Sequence, residues 1–96
     1  MVEKKIQIIN ELGVHARPSA MLVQKASQFK SEIRLKKDDR EANAKSMLSV
    51  MMLAAERGSF VTIKAEGEDQ KHAVEALAQL FTEKFGEGWE RQSGMI

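Results

Sequence analysis

No cysteine occurs in this chain, which excludes disulfides, thiol chemistry and cysteine-ligated metals and suits a reducing compartment. Tyrosine is absent too, and one Trp and four Phe are too few to build stacking platforms for nucleobases. Neither sign of charge is in excess. Fifteen Lys and Arg face 14 Asp and Glu, for a formal net charge of +1, well short of the basic excess of a general nucleic-acid binder. No apolar run approaches a membrane span, and MVEKKIQIIN holds no apolar block long enough for a signal peptide. The expectation is a cytoplasmic protein that binds no nucleic acid and inserts into no membrane. With 43% hydrophobic and 30% charged residues over 96 positions, the composition is that of one globular domain with a single modest core.

What is present alternates between two periods. Val2, Lys4, Ile6 and Ile8 share one side of a half-buried strand. A helix is expected from about Ala16 to Phe29, with Leu22, Ala26 and Phe29 at helical spacing. The one proline, Pro18, is tolerated there because the first turn has amides without intrahelical partners. SEIRLKKDDREANA reads as a strand with Ile33 and Leu35 inward and Arg34 and Lys36 outward. A turn at Asp38–Asp39 and a short return strand follow, KKDDR being a solvated hairpin. SMLSVMMLAAERG is a shorter helix closed by Gly58. FVTIKAE sets Val61, Ile63 and Ala65 against Thr62, Lys64 and Glu66. After Gly67, DQKHAVEALAQLFTEKFG is the clearest helix, its buried stripe placed on Ala73, Leu77, Leu80 and Lys84, flanked by Val74 and Phe81, with Gly86 as its stop. Gly13, Gly58 and Gly67 read as turn glycines. The domain is expected to span 1–86. EGWERQSGMI, 87–96, forms a short C-terminal tail whose Trp89 is placed to fold back, with no function attached to Glu87, Trp89 or Arg91.

This order, strand-helix-strand-strand-helix-strand-helix, implies an α+β domain with an antiparallel sheet covered on one face. The pattern also fits a split βαβ, ferredoxin-like arrangement, a fold that hosts many unrelated functions.

His15 in ELGVHARPSA precedes the expected helix start by one residue. The free amides and positive dipole end of such a start favour an anion. Arg17 adds a fixed positive fork for phosphate oxygens. A neutral imidazole, with an ordinary pKa of about 6.5, is a competent nucleophile. No adjacent Ser, Cys or carboxylate pair suggests hydrolysis. The other histidine, His72, is remote in sequence, three residues after Asp69, and reads as surface filler, so no metal site is expected and no cofactor is called for. The chemistry favours carrying a group over transforming one.

NAKSMLSVMMLAAERG holds the second candidate. Ser46 stands at the N-cap. At about 100° per residue, Met47, Leu48, Met51 and Met52 fill one arc, and Ser49, Val50, Leu53 and Ala54 the opposite one. With Val50 and Leu53 toward the core, a methionine-rich patch is left exposed, an adaptable partner surface.

GVHARPSA and NAKSMLSVMMLAAERG together closely resemble HPr, the histidine-containing phosphocarrier family of the bacterial phosphoenolpyruvate-dependent phosphotransferase system. The likeness runs from Met1 to about Gly86, including element order and the spacing of the two motifs. It implies an open-faced sandwich, four antiparallel strands with three helices on one face. It implies that His15 accepts a phosphoryl group on Nδ1 from enzyme I, which takes it from phosphoenolpyruvate, and passes it to an EIIA-type domain. Arg17 would pair with the phosphoryl group, and Ala16 and Arg17 would offer it main-chain amides. Pro18 would shape the turn, while Ala20, Met47, Leu48, Met51 and Met52 form the partner surface. Ser46 matches the family's regulatory site for HPr kinase/phosphorylase. A phosphate there adds about two negative charges beside the patch and repels an acidic enzyme I. The implied protein is a monomer and no enzyme, a substrate of other enzymes in sugar transport.

Departures from the family pattern bear on the branch served. Gln24 and Ser27 stand where some sugar-pathway members carry lysine, which weakens steering by charge and leaves room for the nitrogen-related branch. The tail is longer than the family's usual end, so no role is assumed for a terminal carboxylate near His15. A second reading is a regulatory HPr-like protein that binds a transcription regulator after Ser46 phosphorylation. The family's dedicated member of that kind lacks the active histidine, which is present here. A ferredoxin-like ligand- or RNA-binding module is disfavoured by the charge and aromatic counts.

Overall fold

A computed structural model describes residues 1–9, 16–53 and 55–86. Strand β1 (Val2–Gln7) is followed by helix α1 (Ala16–Ala26), the hairpin of β2 (Glu32–Lys37) and β3 (Arg40–Asn43), and helix α2 (Met47–Met52). Strand β4 (Phe60–Glu66) and helix α3 (Gln70–Thr82) come next, and a single 3-10 turn (Lys84–Gly86) closes the described chain. The four strands form one sheet in the order β1-β4-β2-β3, every pairing antiparallel. The expected α+β open-faced sandwich is the one the chain forms.

Strand alternation decides which face is covered. Register places Ile6 opposite Val61, Ile33 opposite Ala65 and Leu35 opposite both Ile63 and Ala42, so these apolar side chains share one face of the pleat. Ile33, Leu35, Ala42, Val61, Ile63 and Ala65 are all buried there against Leu22 and Ala26 of α1, Val50 of α2 and Ala73, Val74, Leu77, Ala78 and Phe81 of α3. The opposite face carries Lys5, Arg34, Lys36, Thr62 and Lys64 and stays open. The hairpin turns at Asp38, whose φ of 53° is a left-handed conformation that a short acidic side chain tolerates better than most.

Three helix ends differ from the periodic reading. α2, expected to run on to a stop at Gly58, ends at Met52 with Leu53 as its C-cap. α1 stops at Ala26, and Phe29, expected on its stripe, lies beyond it, half-buried. α3 ends at Thr82, so Lys84 is no part of its stripe and is exposed. Lys84 and Phe85 adopt φ values of 53° and 54°, and Gly86 comes next at 73°. Three left-handed residues in succession reverse the chain and drive the Phe85 ring, 1% exposed, edge-on against Phe81 at 5.0 Å between centroids. Burial of an aromatic ring overrides the backbone preference that an extended helix would satisfy.

A clasp joins the two loops at the other end of the helices. Asp69 precedes α3 but makes no side-chain cap bond. Instead its carboxylate accepts the Lys30 amide at 2.9 Å, the Ser31 amide at 2.9 Å and the Ser31 hydroxyl. Gly67 permits the approach. At its φ of +148°, a Cβ would lie 2.8 Å from both Cα and Oγ of Ser31, nearer than side chains come. Chiefly through the Ser31 hydroxyl, and then the Lys30 amide, the Asp69 carboxyl is pulled down from 3.8 to about 2. A depressed carboxylate pKa adds stability above its unfolded value that is lost as pH falls through the folded one. Wild type is therefore expected to unfold more readily than at neutrality as pH drops from about 5 to about 2, and the margin by which it exceeds Asp69→Asn is expected to shrink over that window. Thermal unfolding of both across that range checks it; a margin independent of pH contradicts it.

Candidate functional site

His15 lies outside the described residues, and the site is built from the residues on its C-terminal side. α1 opens with Ala16 and Arg17, both exposed, while Pro18 and Ser19 are already buried. No acidic residue occupies the first turn, and the positive end of the helix dipole there favours an anion. Leu22 and Ala26, fully buried, hold α1 on the core and fix the direction in which that first turn points. The reversal after α3 ends at the same place. A Cβ on Gly86 would stand 3.9 Å from Arg17 Nη2. The guanidinium, planar and with five donors in a fork that suits phosphate oxygens, thus sits where the start of α1 meets the turn that trails α3.

α2 packs against α1. Its start is set by two contacts. Ser46 Oγ accepts the Ser49 amide at 3.3 Å as the N-cap, and Lys45 Nζ donates to the Phe29 carbonyl at 2.7 Å, which places this end of α2 beside the segment that leaves α1. The two arcs of the helix part as their composition requires. Val50 and Leu53 are 0% and 2% exposed, whereas Leu48 and Met52 are 70% and 67% exposed and Met51 and Met47 are 43% and 36%. An unbranched thioether side chain adapts its shape to the surface it meets. Ala20 of α1 and Ser46 are both half-buried. Gln24 and Ser27 are exposed, which leaves that face of α1 less cationic than lysines would make it.

His72 is exposed on α3. Its neighbour Asp69 is committed to Ser31, a partner 38 residues away. Sequence reasoning missed that pair: an aspartate just before a helix signals an N-cap, and nothing local announces a tertiary acceptor.

The fold is a small one-sided α+β sandwich with Arg17 at the start of α1 and an exposed apolar face on α2, the helix packed against it. Comparison with known proteins makes the class specific. Residues 2–83 match the family described as PTS HPr component phosphorylation site. The phosphocarrier protein HPr of Cupriavidus necator is 46% identical over 88 residues, 92% of this chain and 99% of that one. The HPr-like protein Crh of Bacillus subtilis is 42% identical over 84 residues, 88% of this chain and 99% of that one. A crystal structure of HPr-C-His from Thermoanaerobacter tengcongensis superposes with a TM-score of 0.87 at 45% identity, covering 90% of this chain and 97% of that one. The chain belongs to the HPr family of phosphocarrier proteins of the phosphotransferase system.

Proposed function

We propose that this chain carries a phosphoryl group on His15 Nδ1, taking it from enzyme I charged by phosphoenolpyruvate and passing it to an EIIA-type domain. The observation that carries this reading is Arg17 in an acid-free first turn of α1, two residues after the histidine. Phosphoryl transfer asks for positioning and charge stabilisation more than for covalent chemistry from the protein. The Arg17 fork and the amides of Ala16 and Arg17 are suited to bind the equatorial oxygens while Nδ1 and the leaving atom lie in line. The chain is then a substrate of other enzymes and does not turn over by itself. It acts as a cytoplasmic monomer, with 1–86 as the working domain and 87–96 as its tail.

Donor and acceptor use one surface in turn: Ala20, Met47, Leu48, Met51 and Met52. A two-stage relay assay tests this. The protein is charged by enzyme I and phosphoenolpyruvate, then discharged by added EIIA. Leu48→Asp, which places a carboxylate at the most exposed point of the patch, is expected to slow both stages at least about tenfold, the equivalent of one lost interfacial hot-spot contact. Unchanged rates in both stages would remove the patch from the relay.

Similarity to Crh, together with Ser46 at the N-cap of α2, favours a second reading in which the chain acts mainly through phosphorylation-dependent binding to a regulator. HPr kinase/phosphorylase is the modifying enzyme this reading requires, and a phosphate on Ser46 would set about two negative charges at the border of the patch. A His15→Ala protein that keeps all biological activity would favour this reading; loss of activity favours the carrier.

A further inference from the structure

We propose that Met47, Met51 and Met52 form a reversible oxidation site, at which a peroxide-class oxidant turns the exposed face of α2 from apolar to polar while the fold survives. With no cysteine, the chain's sulfur is confined to six methionines. Three of them stand on this one six-residue helix. All three are exposed, Met52 at 67%, Met51 at 43% and Met47 at 36%. No charged residue shares the helix, whose sequence is MLSVMM, so the thioethers and Leu48 set the apolar character of that face. Met21, by contrast, is half-buried against the core.

The step is a two-electron oxidation of sulfur. A lone pair on Sδ attacks one oxygen of hydrogen peroxide, the O–O bond breaks and an S–O bond forms. A proton passes from the transferred oxygen to the departing one, which leaves as water. The product is a sulfoxide, polar where the thioether was apolar. In solvent its oxygen is hydrated; beneath a docked partner it becomes a buried acceptor without a donor, which opposes docking. Position decides that the fold is spared. α2 is held by Val50 and Leu53, both buried, by Ser46 Oγ on the Ser49 amide and by Lys45 Nζ on the Phe29 carbonyl. None of these groups contains sulfur. A dithiol-dependent methionine sulfoxide reductase reverses the change: the oxygen leaves as water and the dithiol becomes a disulfide. Slower docking of enzyme I and EIIA is the consequence. That consequence rests on the phosphocarrier reading, whereas the site of oxidation does not.

The full chain is treated with hydrogen peroxide, freed of it, and followed by peptide mass mapping, thermal unfolding and charging by enzyme I. Met52 is expected to oxidise first on α2, then Met51 and Met47, with Met21 behind all three. The unfolding midpoint is expected to hold. Charging is expected to slow at least about tenfold, the order of burying one polar group without a partner, and to recover after treatment with the reductase. Met1, 65% exposed beside Glu32, Arg34 and Lys64 on the open sheet face, oxidises without touching the partner surface. The control is therefore Met47→Leu, Met51→Leu and Met52→Leu combined, which keeps apolar volume and retains Met1, Met21 and Met95. Compared with itself, that variant is expected to be charged equally fast before and after peroxide. Oxidation of Met21 ahead of the α2 methionines, or unfolding that accompanies oxidation, overturns the inference. So does an oxidised α2 charged at its original rate, or equal slowing in the triple variant. If untreated protein is not charged at all, the carrier reading fails, and mapping with unfolding still decides the oxidation site.

Discussion

Phe85→Ala is expected to lower the unfolding free energy by about 3–5 kcal/mol, a large share of the 5–15 kcal/mol that a domain commonly has. The ring is 1% exposed, heads the largest fully buried side chains and meets the edge of Phe81. Truncation removes its apolar area from the core, leaves a cavity at the foot of α3 and deletes an aromatic pair. The backbone adds to the loss. Lys84 and Phe85 are at positive φ, which the ring's burial helps to offset, so without it the turn keeps only backbone bonds such as that from the Gly86 amide to the Glu83 carbonyl at 3.0 Å. Phe85→Leu, which retains most of the apolar area, is expected to lose markedly less. Denaturant unfolding of the three proteins decides the point; a change in unfolding free energy below about 1 kcal/mol for alanine, the level of ordinary surface substitutions, would show that the reversal is held by something else.

The second large effect falls on chemistry and spares the fold. Arg17→Ala is expected to slow charging of the protein by enzyme I by about 10²–10³-fold, the scale of removing one preorganised donor to a developing anion. Arg17 is exposed at the first turn of α1, so the unfolding free energy is expected to change by no more than about 1 kcal/mol. Lysine keeps the charge and loses the two-pronged geometry, so Arg17→Lys is expected to fall between the two. Rapid-quench measurement of phosphoprotein formation, beside unfolding of the same samples, separates the roles. A rate loss that tracks a stability loss would make Arg17 a structural residue.

Much of this was legible in the residues. β2 and β4 follow from strict alternation, as in Ile33 and Leu35 against Arg34 and Lys36, because a covered sheet face punishes a one-residue slip across its whole length; β1 alternates less cleanly, with Lys4 exposed on the side placed inward, and β3 followed from the turn before it. The split of α2 into Val50 and Leu53 inside and four large side chains outside follows from 100° per residue in a helix too short to be wrapped. The topology did not follow from the pattern, since the same element order fits two sheets, and only the likeness to HPr selected the open-faced one. Helix ends were misjudged at Phe29 and Lys84, where apolar or alkyl side chains continue the helical period after the backbone has left it, and at Gly58, since α2 already stops at Met52. The clasp of Asp69 on Ser31 was invisible for a different reason. It joins loops distant in sequence, and its enabling feature is Gly67, a residue whose ordinary use is a turn. Of the site, Arg17 and the start of α1 were legible because a helix N-terminus is a local property; the convergence of Gly86 on Arg17 was not, since it depends on a left-handed reversal that no local propensity favours.

The measurement closest to the central claim is mass spectrometry of the intact protein after incubation with phosphoenolpyruvate, magnesium and a general enzyme I, beside His15→Ala. The predicted result is a gain of one phosphoryl group that is lost in acid and retained in base, as a phosphoramidate should be, and that is absent from the variant. If a sugar-branch enzyme I does not charge the protein, the nitrogen-branch enzyme is expected to do so. Failure with both, or an equal gain on His15→Ala, would contradict the assignment of His15 as the acceptor.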